Sequence, residues 1–136
     1  MSQPAITNPD IRSQIEQIEN ATVAAFNTAD LDRMLSYFSE DINGFSSTHN
    51  DRYRGLDALR DTFEYYLAKS ESIYYQISDL EIQMLANGEA VLATFYWKTA
   101  PLVDAQEDII TGRATHIFER RNGRWTIVHE HFSRAH

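Results

Sequence analysis

The dipeptide Asn122-Gly123 stands between two runs that alternate apolar and polar residues, and no other feature constrains the fold of this chain as tightly. A two-residue type I′ turn needs positive φ at both central positions, which Asn-Gly tolerates well. Such a turn also fixes register. Arg121 opposes Arg124, and the ladder beyond sets Phe118 opposite Ile127, His116 opposite His129 and Ala114 opposite His131. Because side chains alternate across a strand, one face carries His116, Phe118, Trp125, Ile127, His129 and His131. The other carries Thr115, Ile117, Thr126, Val128, Glu130 and Phe132. Three histidines and a tryptophan on one face predict the lining of a half-polar cavity rather than a sealed apolar core.

A second Asn-Gly, Asn87-Gly88, is flanked by residues 72–86 and 89–99, where apolar residues again recur with period 2. The same reasoning sets Met84 opposite Val91, Ile82 opposite Ala93, Leu80 opposite Phe95 and Ser78 opposite Trp97. The apolar phase slips between Ile77 and Leu80, which predicts a bulge near Ser78-Asp79 that bends the sheet. Upstream the period is 3.6. Residues 9–29 read as a helix through Ile11, Ile15, Ile18, Thr22, Ala25 and Phe26, with Pro9 in its first turn and Asn8 or Asp10 as cap. A short helix follows from Asp30, with Leu31, Met34, Leu35 and Phe38 on one stripe. A third, Leu56–Lys69, buries Leu56, Leu59, Phe63 and Leu67. Residues 40–48 read as a turn entering a short strand, and residues 100–107, with Pro101, as a loop. Three helices in the N-terminal half and an antiparallel meander of four to six strands make an α+β fold, a bent sheet with helices on its concave side.

The chain of 136 residues reads as one domain, with an ordered core over about residues 9–134. A net charge of −8 argues against nucleic acid or an anionic membrane surface as the main partner. No apolar run reaches bilayer-spanning length, and the first residues carry no basic region followed by an apolar stretch. The absence of cysteine excludes disulfide and thiol chemistry and suits a reducing compartment, so a cytoplasmic location is expected.

The segments Ala29-Asp-Leu-Asp32, Tyr37-Phe-Ser-Glu-Asp41, Arg54-Gly-Leu-Asp57 and Gly123-Arg-Trp-Thr-Ile-Val-His-Glu-His-Phe-Ser133, in this order of elements, resemble the nuclear transport factor 2-like superfamily. The chain is most similar to its SnoaL-like and ketosteroid isomerase-like members and to the association domain of calcium/calmodulin-dependent kinase II. The resemblance covers roughly residues 10–134. It implies a cone: a curved sheet around a pocket closed by the N-terminal helices, with homodimers formed through the outer sheet face. The superfold hosts isomerases, cyclases, dehydratases, transport adaptors and assembly hubs, so it does not by itself assign an activity. Carried over position by position, the isomerases' base falls near Ser46 and their oxyanion tyrosine near Thr22, while the strand over residues 114–118 offers no carboxylate for their second acid. The pocket arginines of the kinase domain fall on Trp97 and His116. Neither site is preserved.

The candidate site is therefore read from this chain's own residues. Opposed side chains in an antiparallel pair have Cβ atoms about 4.5–5.5 Å apart, so His116, His129 and His131 form a cluster. They can hydrogen-bond a ligand or move a proton, since imidazole titrates near neutral pH. They can hold a metal, if further ligands converge. They can also be structural, each ring satisfied by its neighbours. His49 and His136 are expected in solvent. Trp97 ends an apolar face and reads as pocket wall, Trp125 as core. Tyr37, Tyr65 and Tyr66 are expected near the pocket mouth, and Tyr53, Tyr74 and Tyr75 on the outer surface. The expectation is a homodimeric pocket protein for a small, mainly apolar molecule with one polar handle, contacted by Trp97, His116, His129, His131 and Tyr37. As an enzyme it would use acid–base chemistry without metal or cofactor: isomerisation, dehydration or cyclisation. His116 or His129 would move the proton, with Tyr37 or Arg113 steadying negative charge. A non-enzymatic binding or assembly domain is the alternative.

Overall fold

The computed structural model describes residues 9–69, 73–101 and 109–135. In chain order the elements are α1 (Pro9–Asn27), α2 (Leu31–Leu35), β1 (Phe38–Phe45), β2 (Tyr53–Arg54), α3 (Leu56–Lys69), β3 (Ile73–Leu85), a 3-10 turn (Ala86–Gly88), β4 (Ala90–Pro101), β5 (Ile110–Arg121) and β6 (Arg124–Arg134). Pro9 opens α1 as expected; Asn8 lies outside the described residues. The buried stripe of α1 is Ile11, Ile15, Glu19, Thr22, Ala25 and Phe26, and it includes a glutamate. Asp30 caps α2 by accepting the Arg33 amide at 3.2 Å. Phe38, expected on that helix, instead begins β1. The chain leaves the helix there because the Ile127 amide donates to the Tyr37 carbonyl at 2.9 Å, which draws the backbone into the sheet.

The six strands form one open, curved sheet in the order β2-β1-β6-β5-β4-β3. The expected meander is antiparallel, and all pairs but one are. The exception is β1, which runs parallel to β6, so the sheet is mixed. Parallel strands need a long crossover, and here everything between β1 and β6 supplies it. The two-residue strand β2, with Gly44 opposite Tyr53, has no periodicity to announce it. Ala100 and Pro101, expected in a loop, end β4; the remainder of that segment lies outside the described residues.

The β3–β4 hairpin keeps its expected register near the turn, with Met84 opposite Val91 and Ile82 opposite Ala93. The bulge also falls where the apolar phase slips. The register shifts between Ser78 and Glu81, and Asp79 adopts φ 55°. Beyond it the pairs move by one residue. Ile77 opposes Trp97, and Ser78 opposes Tyr96 rather than Trp97.

The β5–β6 hairpin corrects the reading on which the histidine cluster rests. Asn122 and Gly123 take φ 52° and 76°, as a type I′ turn requires, and Arg121–Arg124 and Phe118–Ile127 pair as expected. A second bulge then intervenes. Ile117 opposes His129, which leaves Val128 as the extra residue on β6. A one-residue slip sends every later side chain to the other face. Glu130 therefore opposes His116, and Phe132 opposes Ala114. His129 and His131 turn to the outer face, and the three imidazoles do not converge.

The core lies between the concave face of the sheet and the helices. Its largest fully buried side chains are Phe118, Ile15, Ile42, Leu59, Ile127, Val91 and, among these hydrocarbons, Glu19. Among the described residues, no helix is long and apolar enough to cross a membrane.

Candidate functional site

Three acidic and basic side chains meet inside this core. Glu19 projects from the buried stripe of α1, His116 from the inner face of β5 and Glu130 from β6 just past the Val128 bulge. His116 Nδ1 lies 2.7 Å from a Glu19 carboxylate oxygen, and Nε2 lies 2.9 Å from Glu130 Oε1. Carboxyl oxygens at both nitrogens favour a ring that donates from each, the imidazolium form. Burial opposes that charge, but Glu19 and Glu130 outweigh it, and the His116 pKa is pushed up to about 10. The ring is packed against Phe95 at 5.3 Å and Phe38, Phe118 and Phe132 at 5.9–6.0 Å, so water is largely shut out.

The chain of hydrogen bonds continues outward. The Tyr53 hydroxyl donates to Glu130 Oε2 at 2.8 Å. Burial and the adjacent Glu130 both raise the Tyr53 pKa, so it remains a phenol and a donor. Gly44 makes this contact possible. A Cβ there would collide with the Glu130 carbonyl and press on the Tyr53 ring. Both Glu130 oxygens are thus held, one by an imidazolium and one by a phenol. Glu19 is held by one oxygen; its Oε1 is buried without a hydrogen-bond partner among the described residues.

An open pocket of about 490 Å³, mouth included, borders this cluster. Its walls come from α1, α2, α3, the start of β3, the C-terminal halves of β4 and β6, and Ser46 just past β1. They are mostly apolar and aromatic, with Phe26, Phe63, Tyr66, Tyr75, Trp97 and Phe132 contributing rings. Hydroxyls reach it from Ser46, Thr62 and Thr99, and Glu130 is the charged side chain in the wall. Trp97 is fixed edge-on by donating its Nε1–H to the Arg113 carbonyl at 3.2 Å, over a β5 backbone stripped of a side chain at Gly112.

A family model described as the SnoaL-like domain matches residues 15–136. The chain belongs to that family. No curated protein matches the sequence. Among solved structures, a nuclear transport factor 2-like protein of unknown function from Pseudomonas putida is 21% identical, with TM-score 0.80 over 89% of this chain and 84% of that one. A proposed scytalone dehydratase from Novosphingobium aromaticivorans is 15% identical, with TM-score 0.82 over 96% and 87%. A proposed calcium/calmodulin-dependent protein kinase II association domain from Xanthomonas campestris is 15% identical, with TM-score 0.73 over 89% and 85%. At such identities the likeness is one of fold.

Within this SnoaL-like frame the expected contacts divide. Trp97 lines the pocket, and so does Ser46, at the position matched to the isomerases' base. His116 is buried but lies behind the pocket wall, with Phe132 between. His129, half-buried on the outer face, bonds through Nδ1 to Asn43 at 3.0 Å, and burial lowers its pKa. His131 is exposed and lies tilted against the Phe45 ring, centroids 5.1 Å apart. Arg113 is exposed on the outer face. Tyr37 packs against the core beside the Arg33 guanidinium, outside the pocket lining. Tyr66 reaches the pocket, whereas Tyr65 is exposed. Tyr53 and Tyr75, expected outside, are both buried, and Tyr74 is exposed. His49 is in solvent as expected; His136 and residues 102–108 lie outside the described residues.

Two residues of the cluster, Glu19 and Glu130, escape a reading by simple alternation. Glu19 had a signal: it falls four residues after Ile15 and three before Thr22, on the apolar stripe. Glu130 had one too. Trp125 and Ile127 share a parity that Val128 and Phe132 break, which is the same phase slip that reveals the bulge in β3.

Proposed function

We propose that this SnoaL-like protein binds, and in the enzymatic reading transforms, a small and largely apolar molecule that turns one polar handle toward Glu130. The observation that carries this is a single charged group in a wall of rings and hydrocarbon, with both its oxygens oriented by buried donors. Small-molecule sites have this composition: apolar walls with a few placed polar groups. In the enzymatic reading the proton is moved by Glu130, not by His116 or His129. His116 has both nitrogens engaged by carboxyl groups and is not part of the pocket lining, and His129 faces away. His116 and Tyr53 act as positioning residues, in a cofactor-free isomerisation, dehydration or cyclisation. Two fold neighbours described as proposed dehydratases favour the second of these. A binding-only role needs the same pocket without turnover. We place the protein in the cytoplasm, away from nucleic acid and membranes, as a homodimer through the outer sheet face.

The test is titration with the neutral fluorescent probe N-phenyl-1-naphthylamine, read by energy transfer from tryptophan. Saturable one-to-one binding is expected, weakened at least ten-fold by Ser46→Trp, which fills the pocket from its wall. Non-saturable binding, or binding indifferent to Ser46→Trp, would count against the pocket as a ligand site.

A further inference from the structure

Charge at this site does not balance. Two carboxyl groups, Glu19 and Glu130, face the single imidazole of His116, and no second basic side chain hydrogen-bonds to either among the described residues. The buried cluster therefore holds one acidic group more than its bases can pair, in a medium where charge is poorly screened. Tyr53 is a neutral donor and does not offset it. The excess faces the pocket, because Glu130 is the member of the cluster that lines it. Among the described residues lining the pocket there is no lysine, arginine or histidine. An anionic ligand would meet a carboxyl group with no cationic side chain among the described residues of the pocket lining.

The remaining wall is suited to the opposite sign. Six rings surround the space. Phe26 lies edge-on to Phe63, Tyr66 and Tyr75 at 6.3, 6.4 and 5.2 Å, and Trp97 lies against Phe132 at 5.9 Å. Aromatic faces carry negative potential and attract a desolvated cation, while their carbon area buries an apolar body. Some polar groups at the wall are already committed: the Thr62 hydroxyl donates to the Ala58 carbonyl at 3.2 Å, and the Tyr66 and Ser47 hydroxyls pair at 2.6 Å.

We propose that the pocket takes a protonated amine on an aromatic or alicyclic body, its ammonium meeting Glu130 and its carbon frame lying among the rings. The inference rests on the pocket reading above and names the handle it left open. Binding would complete the charge balance of the cluster, which the protein's own residues leave one cation short.

Three probes of nearly one shape and three charges test this: 2-phenylethylamine, 2-phenylethanol and phenylacetate, titrated into the wild-type protein at neutral pH by calorimetry and tryptophan fluorescence. The amine is expected to bind at least ten-fold tighter than the alcohol, and phenylacetate most weakly. In Glu130→Gln, with folding checked by circular dichroism, the ratio of amine to alcohol affinity should fall to about one. If the alcohol matches the amine, if phenylacetate binds best, or if a folded Glu130→Gln keeps the amine's advantage, the inference fails and the pocket reading stands. If none of the three binds, the pocket reading fails with it. Should Glu130→Gln not fold, the wild-type charge series decides alone.

Discussion

At the scale of single residues, the protonation of His116 is set by its two carboxyl neighbours. Its pKa is raised from 6.5 to about 10, so it binds its proton more tightly folded than unfolded. Such a group stabilises the fold fully below 6.5, and the contribution is lost as pH rises through about 10. Thermal stability is therefore expected to decline over that interval in the wild type. Glu19→Gln, which removes one of the two carboxylates, should bring the His116 titration down toward 6.5. Ring-nitrogen NMR checks both statements, with His129 as internal contrast. Burial lowers the pKa of His129, so it should be neutral where His116 is doubly protonated. A His116 ring that is neutral at pH 8 would mean the carboxylates do not hold its second proton.

At the scale of elements, the site is a consequence of how β1 and β6 approach each other. The parallel pair brings Gly44 opposite Glu130, close enough that β1 leaves no room for a side chain there. Gly44→Ala should force the strands or the Tyr53 ring apart, at a cost of about 1–3 kcal/mol, as overpacking typically does. Urea denaturation measures that loss. A change below about 0.5 kcal/mol, the usual scatter of neutral surface changes, would mean the contact is looser than described. The same pair explains why half of the candidate site was legible and half was not. The turn at Asn122-Gly123 and the pair Phe118–Ile127 are local, so the residues that flank them predict them. The bulge at Val128 is not local: beyond it β6 is ordered from both sides, by β5 and by β1. One extra residue exchanged His129 and His131 for Glu130 and Phe132 on the inner face. In β3 the equivalent slip was visible because Ile77 and Leu80 mark the two apolar phases on either side of polar residues. In β6 the adjacent Ile127 and Val128 are both apolar, which blurs the break.

For the whole molecule, the bulges leave an outer sheet face that carries half-buried Leu92, Thr94, Ile117 and Val128, with exposed Tyr96. Sheet-on-sheet packing about a two-fold axis would cover that face and leave both pockets open on the concave sides. Ile117→Asp is expected to shift the protein from dimer toward monomer in light scattering, with probe binding in the pocket retained. A wild type that is monomeric at micromolar concentration, or a variant as dimeric as the wild type, would move the interface elsewhere. What the sequence determined by itself depends on near neighbours: the periods of the helices and of β3, β4 and β5, both Asn-Gly turns, the bulge in β3, and the α+β class that these elements allow. Tertiary structure alone decided the parallel β1–β6 pairing, the tiny strand β2, and the meeting of Glu19, His116, Glu130 and Tyr53. Those contacts join residues up to 97 positions apart. Burial of a charge is tolerated only where its partners converge, and convergence is a property of the folded core that no local pattern encodes.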